Sequence, residues 1–206
     1  MGVKERKDRE RQQLKQNILD ATRSIALHDG WQAVTIRKVA DRIEYSPPTI
    51  YEHFASKEDI LVELMRQGFQ ILFQELDKLR ETTPDPEARL LAMAQVYWEF
   101  AWTYPDLYQV MHGLGGVPFC DEDRPLPIEA KQAFMITQET LQDLAARENL
   151  QIDNLHDSVH IIWATLHGLV ALTMANRIVG GRQPIAALVE RAMKQFIVSL
   201  RISGSA

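Results

Sequence analysis

The chain has 206 residues, 46% hydrophobic and 25% charged, a globular composition that can bury one large or two modest cores and excludes disordered and fibrous classes. Its formal charge of −5 argues against indiscriminate nucleic-acid binding, but residues 1–57 hold 11 Lys and Arg against 8 Asp and Glu, while the remainder is net −8. Cys120 is the only cysteine, so no intramolecular disulfide is possible, which fits a reducing cytoplasm.

The start, MGVKERKDRER, lacks the apolar stretch of a secretory signal, and Arg6 stands where an N-myristoylation motif needs Ser or Thr. Lys4, Arg6, Lys7, Arg9 and Arg11 outnumber the acids among them. That segment reads either as a frayed, solvated terminus or as a basic arm lying along a nucleic-acid backbone or minor groove. From Gln12 to His28 an amphipathic helix carries Leu14, Ile18, Ala21, Ile25 and Ala26 on one side. Asp29-Gly30 stops it, and Trp31 and Val34 pack the connection that follows.

The stretch Thr35 to Lys57 predicts two short helices. Ile36, Val39, Ala40 and Ile43 recur at i, i+3, i+4 and i+7 behind Thr35 as N-cap. Ser46-Pro47-Pro48 starts the second helix, and Pro48 predicts a start one residue late by disfavouring the helical region at residue 47. Ile50 and Phe54 are its only core positions, so Pro48, Thr49, Tyr51 and Glu52 turn outward, with His53 at the flank. Two helices joined by a short turn form either an ordinary αα-hairpin or the motif that lays its second helix in a DNA major groove.

The run TIRKVADRIEYSPPTIYEHFASK resembles the DNA-binding signature of the TetR family of bacterial repressors. Thr35, Arg37, Ala40, Ser46, Thr49, Tyr51, His53, Phe54, Ser56 and Lys57 carry the likeness, which with its leading helix covers residues 12–65. Many members have glycine in the turn. This chain has Glu44, which tolerates φ > 0 poorly, followed by Tyr45 where a smaller aliphatic is usual. The resemblance implies phosphate contacts by Thr35, Tyr51 and Lys57, and groove-facing positions at Arg37, Ser46, Pro48, Thr49 and His53; Pro47 completes the candidate set. Lys57 and Tyr51 can donate to phosphate oxygens, Arg37 can donate twice to guanine, and Thr49 can touch a thymine methyl. Glu52 either accepts from a cytosine amino group or points at solvent.

Ser56, with Asp59 three residues on, caps a long helix to about Arg80 that starts beside the DNA-binding unit and is the obvious mechanical link to the rest. Further helices are expected over Pro86–Thr103, Asp106–Met111 and Ile128–Glu148, with residues 112–127 irregular because they hold three glycines and three prolines. Asp153 starts a helix ending at Gly180-Gly181, and Pro184 opens the last one. The fold class is all-α with roughly nine helices: residues 1–55 as a three-helix DNA-binding domain and 56–206 as a helical effector-binding and dimerisation domain.

Ile161–Ala175 is apolar almost all round, yet too short to span a membrane, so a partner is expected to cover one side. Two copies meeting through residues 153–180 and 184–201 make a four-helix bundle, and a two-fold dimer sets two recognition helices about 34 Å apart on a palindromic operator. The resemblance implies the same dimer and a small-molecule effector. Trp98, Trp102, Met111, Phe119, Phe134, Trp163 and His167, with Tyr97, either line an apolar pocket for it or are plain core. His156 and His160 stand one turn apart, a spacing that suits a metal or an ordinary exposed helix start; no metal or other cofactor is expected. The expected protein is a cytoplasmic, homodimeric repressor released by a small, largely apolar effector. A helical enzyme or carrier, for which no catalytic constellation is found, and a DNA-binding protein without ligand control are the alternatives.

Overall fold

The computed structural model describes residues 2–114, 126–178 and 182–204. Every regular element among them is helical. In chain order these are α1 (Val3–Asp29), a 3-10 turn (Trp31–Ala33), α2 (Ile36–Arg42), α3 (Pro47–Tyr51), α4 (Lys57–Thr82), α5 (Pro86–Thr103), α6 (Pro105–Met111), α7 (Ile128–Glu148), α8 (Leu155–Met174) and α9 (Arg182–Ser203). None is long and apolar enough to cross a membrane. Two compact units result, one of residues 1–68 with 104–125 and one of 69–103 with 126–206, so α4 contributes to both.

In the first unit α1 packs on the 3-10 turn, α2 and α6, and α2 packs on α3. Ile18, Ile25, Trp31, Val34, Val39 and Ile50 form its buried core. α1 begins at Val3, well ahead of the expected Gln12, and the terminus is not frayed. Its alternating charges serve pairs one turn apart: Arg6 meets Glu10 at 3.3 Å, and the Gly2 N–H donates to Glu5 at 2.9 Å. At the other end Gly30 adopts φ 84°, where a Cβ would be strained, and its N–H donates to Ala26 O at 3.0 Å. Gly68 lets α6 come close to α4, since a Cβ there would overlap Met111 Sδ and stand 3.4 Å from Leu107 Cβ.

In the second unit α5 packs on α7, α8 and α9, and α8 packs on α7 and α9. Helix ends are tied by ion pairs. Arg89 Nη1 donates to Asp143 at 2.8 Å while its other nitrogens donate to the carbonyls of Thr83 and Pro84. Arg201 donates to Glu148 at 2.7 Å and to Glu87 at 2.5 Å, and Arg147 pairs with Asp85. α8 differs from expectation at both ends. Asn154 caps it, accepting from the Asp157 N–H at 3.1 Å. Met174 ends it because Asn176 turns left-handed at φ 53°, and the Arg177 N–H closes back on Leu172 O at 2.8 Å. α9 begins at Arg182, two residues before Pro184, which a first turn accommodates. Most of the 112–127 segment, with Phe119 and Cys120, lies outside the described residues.

Candidate nucleic-acid interface

The interface is built on α2, the turn after it and α3. Thr35 Oγ1 accepts from the Lys38 N–H at 3.2 Å and starts α2, which leaves the Thr35 hydroxyl proton available to an outside acceptor. Lys38 pairs with Asp29 at 3.8 Å, and Arg42 donates to Ser24 Oγ at 2.8 Å, so both ends of α2 are held to the α1 region. In the turn Glu44 takes φ 60°, and the Tyr45 N–H donates to Ala40 O at 3.0 Å. The geometry glycine favours is therefore adopted by glutamate, at a conformational cost.

α3 starts at Pro47, not one residue later. Ser46 is extended, the Thr49 N–H donates to Ser46 O at 3.0 Å, and the missing N–H of Pro47 would have had no partner in a first turn. Ile50 (0% exposed) and Phe54 (6%) anchor the helix, and their burial outweighs the pre-proline preference. Pro48, Tyr51 and Glu52 are exposed and His53 is half-buried. Ser46 and Thr49 share a hydroxyl hydrogen bond of 3.0 Å. The Arg37 side chain is 86% exposed, and among the described residues its one ionic neighbour is Asp41 at 4.0 Å. Tyr51 Oη and Lys57 Nζ make no hydrogen bond or ion pair among the described residues. The whole set thus lies on or beside one helix-turn-helix within a single compact unit.

Beside it lies a basic crevice that sequence reasoning did not pick out. Asp8, Arg11, Gln12 and Lys15 of α1 line it together with His53, around an open space of about 500 Å3. Burial, then the Arg11 charge and also Lys15, lower the His53 pKa against the opposing pull of Glu52. The signal was present in the spacing of residues 8, 11, 12 and 15, which share one helical face.

The candidate effector residues are less unified. Trp98 is fully buried and meets the Trp102 ring edge-on at 5.4 Å, while Trp163 meets Tyr97 edge-on at 5.2 Å. Tyr97 and Trp163, with Leu90, Met93, Ile162 and Leu166 among others, line an apolar crevice of about 10 Å3, room for about one water. The aliphatic members were missed because residues at helical spacing look alike whether they line a crevice or fill a core. His167 is half-buried, and burial lowers its pKa, so it is neutral at pH 7. Phe134 stacks against His156 and His160 instead, and Met111 belongs to the first unit. Among the described residues no group of three or more His, Cys, Asp or Glu could hold a metal.

A helix-turn-helix of α2 and α3 supported by α1 in the first unit, with an all-helical second unit, is an architecture of the DNA-binding helix-turn-helix class. Residues 18–64 match the bacterial regulatory proteins of the tetR family, and residues 90–196 match the tetracyclin repressor-like C-terminal domain. The second match alone spans more than half of the chain, which belongs to the TetR family, a family of regulators rather than enzymes. Over 76 residues it is 36% identical to the HTH-type transcriptional repressor KstR of Mycobacterium tuberculosis, covering 37% of this chain and 34% of that protein. The match therefore spans about a third of that relative's length. The fold is shared with a protein of unknown function from Rhodococcus sp. RHA1, at TM-score 0.76 and 22% identity over 91% of this chain and 95% of that one. It is also shared with the regulator FadR of Bacillus subtilis, solved with stearoyl-CoA, at TM-score 0.70 and 16% identity over 88% and 96%.

Proposed function

We propose that this protein is a homodimeric repressor whose residues 35–57 bind a palindromic operator and whose residues 56–206 bind a small, largely apolar effector that releases the DNA. The observation that carries the DNA reading is the outer face of α2 and α3, where Arg37, Tyr51 and Lys57 hold donors that the fold leaves uncommitted or nearly so. Such donors are what phosphate positioning and base readout require. Thr35, Ser46, Pro47, Pro48, Thr49 and His53 complete the contact set. Dimerisation is supported by the exposed apolar side chains Ile161 (54%) and Leu172 (47%) of α8 and Val198 (49%) and Ile202 (73%) of α9, which a two-fold partner would cover.

The effector reading rests on the apolar crevice of the second unit and on its donors. Among the described residues the indole N–H groups of Trp98, Trp102 and Trp163 are buried without an acceptor, and of these Trp163 lines the crevice. An apolar molecule that carries an acceptor would satisfy the Trp163 donor there. Stearoyl-CoA, bound by the Bacillus subtilis FadR, has that combination. The crevice holds only about 10 Å3, so binding requires a conformation in which it widens, with α4 carrying the change between the units.

The test is fluorescence anisotropy on a duplex selected by the protein from random DNA, against a scrambled duplex, across a salt series, with light scattering for stoichiometry. Tight, selective, salt-dependent binding by a dimer is expected. Equal weak binding to both duplexes after selection, or binding by a monomer, would overturn it.

A further inference from the structure

We infer that the crevice formed by Arg11 and Lys15 of α1 against His53 is a second DNA-phosphate site, at the flank of the helix-turn-helix, and that its occupation loads a proton onto His53 so that operator affinity rises as pH falls. This rests on the DNA-binding reading and extends it to α1 and to regulation by pH.

Three basic side chains converge on one open crevice beside the recognition helix. Arg11 is exposed and makes no hydrogen bond or ion pair among the described residues, so its guanidinium fork is available to an anion. Lys15 is positioned rather than free. Its Nζ lies 3.4 Å from Glu63 Oε1 and 5.5 Å from the Phe54 ring centre, which fixes the ammonium at the inner wall. His53 supplies a ring nitrogen from the third side, and neither of its nitrogens is committed among the described residues. The space, about 500 Å3 and open to solvent, admits a phosphate group. Because α1 is a continuous helix from Val3, Arg11 is held in place instead of swinging on a loose arm.

The groups that face His53 set the sign. From α1 these are Arg11 and Lys15, both cationic, with Asp8 at the wall of the crevice and Gln12 neutral; next along the chain is Glu52, and Glu63 of α4 acts through Lys15. Without DNA the burial and the two cations hold the imidazole neutral at pH 7. A phosphate placed among them reverses the local potential and favours the imidazolium, so binding takes up a proton. A duplex phosphate fits better than a free anion because the crevice adjoins the residues proposed to track the DNA backbone.

The experiment compares wild type with Arg11→Gln, Arg11→Lys and His53→Gln by anisotropy on the selected and scrambled duplexes, at several salt concentrations and between pH 6.0 and 7.5. Arg11→Gln should weaken both complexes, about eightfold at 0.1 M salt, with the salt slope lowered by about one, and Arg11→Lys should recover most of the loss. Wild type should bind roughly threefold or more tightly at the lower pH, and His53→Gln should abolish that gain. A pH gain that survives His53→Gln, or Arg11→Gln that binds as wild type does, overturns the inference and leaves the regulator reading standing. A wild type that binds no duplex overturns the regulator reading itself. Inorganic phosphate that shifts the His53 titration by NMR, with Arg11→Gln unaltered toward DNA, identifies a small-anion site and also overturns it.

Discussion

Arg23 and Asp106 stand 83 residues apart in sequence and form a two-point ion pair, Nε to Oδ2 at 2.5 Å and Nη2 to Oδ1 at 3.3 Å. Asp106 is 3% exposed, and the pair joins α1 to α6 within the first compact unit. A buried carboxylate survives in an apolar setting only when paired, so loss of one partner strands the other. Arg23→Met, which strands the buried carboxylate, should therefore destabilise the protein by about 3 kcal/mol in urea unfolding, and Asp106→Asn should cost less, because the stranded Arg23 side chain is partly exposed. The double variant should cost less than the sum of the two. Additive losses would mean that the two side chains do not act as a pair.

Lys57 has no partner among the described residues and closes the helix-turn-helix. Lys57→Ala should weaken binding about equally on all sequences and reduce the salt slope by about one. Loss confined to one sequence would assign Lys57 to base reading instead.

Glu44 holds φ 60° with its side chain exposed and without a partner among the described residues. Glycine reaches that conformation without a Cβ penalty, so Glu44→Gly should raise stability by about 1 kcal/mol. A raised urea midpoint at unchanged m-value is the expected readout. A lowered midpoint would show that the carboxylate contributes more than its backbone strain costs.

Glu148 receives hydrogen bonds from Arg201 and Arg147 that hold its carboxyl down to about 2, from an ordinary 4.5. A depressed folded pKa stabilises the native state above 4.5, and that stabilisation fades as pH falls toward 2. Glu148→Gln should lower stability at pH 7 and flatten its pH dependence across this window, as thermal unfolding at several pH values can show. An unchanged slope there would mean that the network does not act through this carboxylate.

Much of the fold was legible because its signals are local. The caps at Thr35 and Ser56, the stop at Gly30 and the periods of α5 and α7 act over three or four residues, and the structure places those elements where the pattern put them. The errors also have local causes. The charged start, expected either as a frayed end or as a basic arm, is instead the opening of α1, held by pairs one turn apart, and α8 stops short of the expected Gly180 because Asn176 also tolerates a left-handed backbone. Of the candidate effector residues, Trp163 lines the apolar crevice, whereas Phe134 stacks against exposed histidines.

By itself the sequence determined an all-helical chain with a TetR-type helix-turn-helix, since periodicity, capping and a contiguous motif are written in neighbouring residues. Only the tertiary structure decided that Arg11 and Lys15 share a crevice with His53, that Asp106 meets Arg23, and that Met93 and Trp163 line one crevice. These groups are far apart along the chain, and nothing in a side chain's local pattern specifies which distant helix will cover it. That choice is made by the packing of whole helix faces.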